Sequence, residues 1–230
     1  YTATPFANIF IHERGETKAE GPDLFPSAFI QNLAAPSNYV GPATVFGVPS
    51  LEGRTGQLPL IHEVSDYQKE DGSGWMPAKH KPTHVPVWST SESLPPSLRE
   101  AVDSFVLACA IRVLRGQGNK HCSMLVHVTR FKDVQVVIHD GVEAYVKNLR
   151  QKITRRIGHD EAVAALRKLW LEDFLPATEK VRLEGITEIP ERDHDWTEIE
   201  AVLPDVLHDI DVRTINGTAG DVLDYEENRG

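Results

Sequence analysis

The longest regular pattern in the sequence is a short apolar run followed by a helical repeat. Residues 124–128 read Met-Leu-Val-His-Val, which favours a buried strand of a parallel sheet. After a polar junction at 129–133, apolar residues recur every three or four positions from Val134 to Leu149, which predicts an amphipathic helix. Strand, turn and helix form the first half of a β-α-β unit, in which ligands bind at the carboxyl ends of the strands.

Thr129 and Arg130 stand at that carboxyl end and are therefore candidate ligand-binding residues. The same pattern also fits an ordinary crossover with a solvated Arg130, and the pattern alone leaves both interpretations open. A second alternating stretch, at 211–216, predicts another strand of the same sheet. We therefore predict an α/β fold that is mostly helical and contains part of a parallel sheet.

Three further helices are predicted, over residues 96–116, 160–176 and 196–208. Proline is expected to start the first at Pro96, to close the second at Pro176 and to break or kink the third at Pro204. Most of the fifteen prolines fall between residues 13 and 96, where no long periodic segment occurs. That region is predicted to be a connector of loops and short elements.

Composition and charge restrict the class of protein. With 40% hydrophobic and 25% charged residues, the 230-residue chain resembles a soluble globular protein, and no stretch approaches the roughly 20 apolar residues that span a membrane. Only two cysteines, Cys109 and Cys122, are present, which predicts reduced thiols and a cytoplasmic location. A net charge of −10 opposes nucleic-acid binding on average, but basic residues concentrate between Lys147 and Arg156 and predict a local basic face.

Catalytic motifs are largely missing from the sequence. It has no Gly-x-x-x-x-Gly-Lys-Ser/Thr phosphate loop, so this chain is not expected to hydrolyse a nucleotide by itself. His80 and His84 are separated by a proline, and we predict neither a metal site nor a catalytic residue. Asp23 and Asp205 each follow a proline, but no Glu-x-Lys or Asp-x-Lys comes after either, as a magnesium nuclease of that type would require.

Several blocks of sequence resemble a known family. Residues 2–5, Thr-Ala-Thr-Pro, resemble the third motif of superfamily-two helicases. The wider pattern resembles the Z1 (Z-one) domain family, some members of which carry an endonuclease label. The blocks that carry the resemblance are residues 1–11, 23–26, 39–41, 46–47, 94–101 and 123–131, in that order.

The resemblance implies a helicase-like ATPase of prokaryotic restriction or phage-defence operons. Its implied partners are DNA and methylase, nuclease or other ATPase proteins, with ATP and Mg²⁺ as cofactors of the full-length protein and none for this chain. By the same resemblance, Thr2 and Thr4 couple two RecA-like lobes, and Thr129 and Arg130 contact a nucleic-acid phosphate. The chain is then expected to be a fragment that is inactive alone.

The expected domains are the end of a first RecA-like lobe at 1–12, the Pro/Gly-rich connector at 13–96, and a helical segment with the opening half of a second RecA-like lobe at 97–230. Two alternatives remain open. One is a protein-interaction module of a defence complex, which the acidic C-terminal third favours. The other is a magnesium-dependent endonuclease that uses Asp23 or Asp205.

Overall fold

The fold is known from a computed structural model, which describes residues 16–17, 21–22, 31, 33–34, 36, 39–88, 94–185 and 194–216. The chain divides into two compact units, Tyr1–Tyr39 and Val40–Gly230. In the first unit, strands β1 (Glu16–Thr17) and β2 (Gly21–Pro22) pair antiparallel, with Glu16 opposite Pro22. Thr2, Thr4 and the predicted 1–12 segment lie outside the described residues, so their roles stay predictions.

The second unit begins with short elements of the connector. Helix α1 (Pro42–Phe46) leads into an antiparallel hairpin of β3 (Val48–Ser50) and β4 (Gly53–Thr55), in which Val48 lies opposite Thr55. Gly47 has a positive φ of 70°, and a Cβ there would come within 2.7 Å of the Thr55 carbonyl oxygen. Glycine is therefore required where the helix meets the hairpin.

From residue 96 onward, the described part of the second unit is a helical assembly. Its elements are α2 (Pro96–Leu114), α3 (Lys132–Arg155), α4 (His159–Leu169), a π-helix (Trp170–Phe174), α5 (Leu175–Leu183) and α6 (Trp196–Asp209). The mainly helical part of the prediction is confirmed, and the long helices begin and end close to their predicted residues. Their periodic apolar positions explain this agreement, because each helix buries one face against its neighbours.

Two apolar clusters hold the helices together. The larger joins α2 to α4 and α6 and reaches the C-terminal part of α3, and its fully buried members include Leu107, Leu166 and Leu203. The smaller joins the first turns of α2 to α3 and includes Trp75 and Met76 from the connector. Where the clusters adjoin, the Tyr145 hydroxyl of α3 donates a 2.7 Å hydrogen bond to the buried Asp103 carboxylate of α2.

The sequence was misread at one proline. Pro176 does not close a helix, because the chain passes through the π-helix and Pro176 lies in the first turn of α5, where proline is tolerated. The wider π turn has Leu175 N–H donating to the Trp170 carbonyl, five residues back. Pro204 lies inside a helix that continues to Asp209. A capping box between Asp195 and Glu198 starts that helix.

The predicted strands are also wrong. Residues 124–128 and 211–216 form no ladder in the structure, and the sheets among the described residues are only the two antiparallel pairs. A RecA-like parallel sheet is therefore not supported. The alternation itself is real: Met124, Val126 and Val128 pack on the smaller cluster, while Leu125 is 86% exposed. Alternating apolar and polar residues indicate that one face of a segment is buried, whereas a β-strand also needs a neighbouring strand to which it is hydrogen-bonded.

Residues 210–216 show the same alternation. Ile210 and Val212 pack on the smaller cluster, and Asp211 and Ile215 are exposed. We call residues 124–129 the first extended segment and residues 210–216 the second extended segment. Both lie against the smaller cluster, to which α3 contributes most of its apolar face.

Candidate functional site

The candidate site is the turn at which the first extended segment enters α3. Thr129 is 6% exposed, and its Oγ1 accepts a 3.1 Å hydrogen bond from Phe131 N–H. His80 Nε2 lies 2.7 Å from the same oxygen, and His80 Nδ1 lies 2.7 Å from the Pro77 carbonyl. Because a carbonyl only accepts, Nδ1 carries a proton, and Nε2 shares a hydrogen bond with the Thr129 hydroxyl. The Thr129 hydroxyl is thus fully engaged in fixing the turn.

Arg130, the next residue, is exposed. Its guanidinium carbon lies 5.0 Å from the centre of the Phe131 ring, within the range of a cation–π contact. The Phe131 ring in turn meets the His80 ring edge to face, with centres 5.4 Å apart. Within the described part of the chain no carboxylate forms an ion pair with Arg130. The turn therefore presents a positioned cation to solvent.

The first turn of α3 adds hydrogen-bond donors beside Arg130. Phe131 is the N-cap residue and has no side chain that could cap the helix. The backbone N–H groups of such a turn, with the positive end of the helix dipole, favour an anion. Asp133 opposes this effect, because it places a carboxylate in the same turn. Arg130 and the exposed Lys132, which begins α3, are consequently the cations that attract a phosphate here.

Gln135 connects the two extended segments at this same end of α3. Its Nε2 donates a 2.9 Å hydrogen bond to the Thr129 carbonyl, and its Oε1 accepts a 3.0 Å bond from Asn216 Nδ2. One turn further along α3, His139 bonds to Asp140 at 3.1 Å. That hydrogen bond and, to a smaller extent, the nearby Val212 backbone raise the pKa of His139. The second extended segment therefore runs from His139 towards Gln135 and ends beside the first.

The structure brings the predicted pair, Thr129 and Arg130, together with three side chains that the sequence analysis did not assign to the site: His80, Gln135 and Asn216. His80 lies 49 residues from Thr129, and no spacing rule predicts that contact. His84, which also lies in the connector, binds the Trp75 carbonyl through Nε2 at 3.0 Å. Both histidines are thus engaged by the protein backbone.

One residue of the predicted basic face, Arg150, has a structural role. Arg150 donates to the Leu207 carbonyl at 2.6 Å and to the Ile210 carbonyl at 2.8 Å, so it caps the C-terminal end of α6. Lys152 and Arg155 remain near the end of α3 and line a shallow cavity of about 340 Å³. A basic patch of this kind is compatible with a phosphate backbone but has no base-reading geometry.

The described ranges contain neither a metal-binding cluster nor a membrane-spanning helix. No group of three or more His, Cys, Asp or Glu side chains there could hold a metal ion. No described helix is long and apolar enough to cross a membrane. Asp205 is an exposed residue of α6, and Asp23 lies outside the part of the chain that is described.

Comparison with known families gives a match over the helical part of the chain. A family model described as the Z1 domain matches residues 97–230, which is more than half of the chain. That range includes α2 to α6, both extended segments and the Thr129–Arg130 turn. No curated protein and no solved structure matches the chain.

Proposed function

This chain belongs to the Z1 domain family, and from that premise we propose that it is part of a helicase-like, nucleic-acid-dependent ATPase. The proposed setting is DNA restriction, phage defence or DNA metabolism in the cytoplasm. Methylase, nuclease or further ATPase proteins are the proposed partners. ATP and Mg²⁺ belong to the complete enzyme in this proposal, and no residue of this chain is assigned to bind them, because the sequence has no phosphate loop.

One observation supports the proposal most strongly. Both extended segments end beside the first turn of α3, where Gln135 bonds to the Thr129 carbonyl and to Asn216. A β-α-β unit also brings the carboxyl ends of two segments to the N-terminus of one helix, where ligands bind. Because the two segments here form no ladder with each other, this observation supports a phosphate-binding end at α3 and not a RecA-like sheet.

In this proposal Arg130 is the nucleic-acid contact and Thr129 is a positioning residue. The exposed guanidinium binds a backbone phosphate, and the Phe131 ring behind it restricts where the guanidinium can lie. Thr129 acts through the turn, since its hydroxyl is engaged by His80 and Phe131. A phosphate contact sets the register of the protein on the strand without reading its sequence.

The test is the salt dependence of DNA binding by Arg130→Ala. Loss of one phosphate contact is expected to weaken binding about equally on different DNA sequences and to lower the slope of log K against log salt by about one unit. Arg115→Ala is the matched control, because Arg115 is an exposed arginine at the end of α2, away from the turn. An unchanged slope for Arg130→Ala would refute the assignment.

A second candidate is a protein-interaction module. The connector exposes apolar side chains that a partner could cover, among them Leu51 at 107%, Val87 at 68% and Val85 at 64%. This candidate predicts weak DNA binding at every salt concentration, so the same titration separates it from the first. The endonuclease alternative has no observation among the described residues in its favour.

A further inference from the structure

A cavity lies at the C-terminal end of α3, where the chain turns into α4. Its volume is about 340 Å³, which is in the range of small-molecule sites. The lining consists of Asn148, Gln151, Lys152, Arg155, Ile157 and Gly158. The cavity is separate from the Thr129–Arg130 turn, because α3 has 24 residues and is therefore about 36 Å long.

Helix geometry places the four polar lining residues on one face of α3. Residues 148, 151, 152 and 155 follow one another at offsets of three, four and seven from the first, which is the spacing of neighbours on a helix surface. The adjoining face of α3 is buried through Leu149 and Ile153, and this burial fixes the rotation of the helix. Core packing therefore determines which side chains line the cavity.

The turn between α3 and α4 forms the other side of the cavity. Arg156 and Gly158 both have a positive φ, of 58° and 69°, so the chain changes direction within three residues. A Cβ at Gly158 would lie 3.6 Å from Lys152 Cε and 3.8 Å from Lys152 Cδ. The alkyl chain of Lys152 thus runs along the glycine, which restricts where its ammonium group can lie.

The lining contains two cations and no carboxylate. Within the part of the chain that is described, neither Lys152 nor Arg155 forms an ion pair. The end of α3 and the start of α4 bring partial charges of opposite sign and similar size, which offset each other. The two acidic residues in the first turn of α4 are exposed, so solvent and salt screen them. The two lining cations therefore dominate the electrostatics and favour an anion.

We propose that this cavity binds a phosphomonoester, a small molecule that carries a terminal phosphate group. The Arg155 guanidinium pairs with two phosphate oxygens, and Lys152 supplies the second cation. The amides of Asn148 and Gln151 donate to the remaining oxygens. A terminal phosphate carries nearly two negative charges at neutral pH, which matches the two cations better than a singly charged phosphodiester does. Binding here is independent of DNA binding at Arg130.

The experiment follows the backbone amide signals of the chain by NMR while methyl phosphate is added at neutral pH and constant ionic strength. Saturable shifts are expected at residues 148–158. Lys152→Gln and Arg155→Gln should each weaken binding about tenfold, because each removes a charge-assisted hydrogen bond. Lys147→Gln is the matched control, since Lys147 is an exposed cation of α3 outside the cavity, and its loss should leave binding unchanged.

Dimethyl phosphate separates a terminal phosphate from a nucleic-acid backbone. As a singly charged diester it should bind about tenfold more weakly than methyl phosphate, because it offers less charge to the two cations. Equal binding of the two probes would overturn the proposal and assign the cavity to a phosphodiester backbone. Absence of saturable shifts, or equal binding by all three variants, would overturn it as well, since the lining cations would then have no part in binding.

Discussion

Different interactions hold residues 40–88 of the connector and the helical part, residues 94–185 and 194–216, in place. All the largest fully buried side chains lie in the helical part, whereas the connector contributes only Leu58, Trp75 and Met76 to the buried apolar set. The connector is attached at Trp75 and Met76, which pack in the smaller cluster, and by hydrogen bonds that join Asp66, His62 and His80 to the helical part. Apolar packing therefore defines the helices, whereas the connector combines a small apolar contact with several polar ones.

The largest expected effect comes from the helical core. Leu203 of α6 is 0% exposed, and Leu203→Ala should lower the free energy of unfolding by about 2–5 kcal/mol, because it removes buried apolar surface and leaves a cavity. The matched control is Leu51→Ala in the connector, which should change stability by less than about 0.5 kcal/mol, since Leu51 is fully exposed. Urea unfolding measures both. Similar losses in the two variants would contradict the comparison.

The next effect concerns Asp103, a carboxyl group buried between α2 and α3. Burial raises the pKa of Asp103 from 3.8 to about 6, although the Tyr145 hydrogen bond lowers it. Its protonated form therefore contributes stability below pH 3.8, and that contribution is lost as the pH rises through about 6. Asp103→Asn keeps an acceptor for Tyr145 and should stabilise the fold by roughly 1–3 kcal/mol at pH 8, with little change at pH 4. Thermal unfolding at both pH values tests this, and a destabilised variant at pH 8 would refute it.

A smaller effect is expected at the connector's link to α2. Asp66 accepts from Ser97 N–H at 2.9 Å, from Ser97 Oγ at 2.5 Å and from Trp75 Nε1 at 3.2 Å, so it caps a helix whose own N-cap residue is Pro95. Burial raises the pKa of Asp66, but these hydrogen bonds outweigh it and the pKa is lowered. Asp66→Ala should lower stability by about 1–2 kcal/mol and speed hydrogen exchange in the first turn of α2.

Asp71→Ala is the control for that prediction. Asp71 also binds one serine twice, through Ser73 N–H at 2.8 Å and Ser73 Oγ at 2.6 Å, but both bonds stay within the connector. Its loss should leave exchange in α2 unchanged. Equal exchange rates in both variants would show that Asp66 does not cap the helix.

The smallest effect is a pH-dependent contact. His62 lies 3.0 Å from Glu100 Oε1 of α2 and 2.9 Å from Asp173 Oδ1 of the π-helix, and hydrogen bonds with these carboxylates raise its pKa above 6.5. The contact stabilises the fold fully below pH 6.5 and is lost as the pH rises through the raised pKa. Since His62 is half exposed, less than about 1 kcal/mol is expected. Titration of the imidazole by NMR measures this, and a pKa at or below 6.5 would contradict it.

Sequence reasoning succeeded where the pattern was local. The helices at 96–114, 132–155 and 196–209 were predicted because apolar periodicity and start signals lie within each segment. The strand prediction at residues 124–128 failed, because alternating apolar residues indicate a buried face but do not show that a second strand lies alongside. The contacts of Asp66, His80 and His62 were not predictable, since their partners lie 31, 49 and up to 111 residues away.

The most direct test of the central claim is ATP hydrolysis by the full-length protein that carries this chain, with and without DNA. We predict that DNA accelerates hydrolysis and that Arg130→Ala needs more DNA to reach the same rate, because its phosphate contact is lost. Absence of hydrolysis with every DNA tested would contradict the ATPase proposal and favour the protein-interaction module.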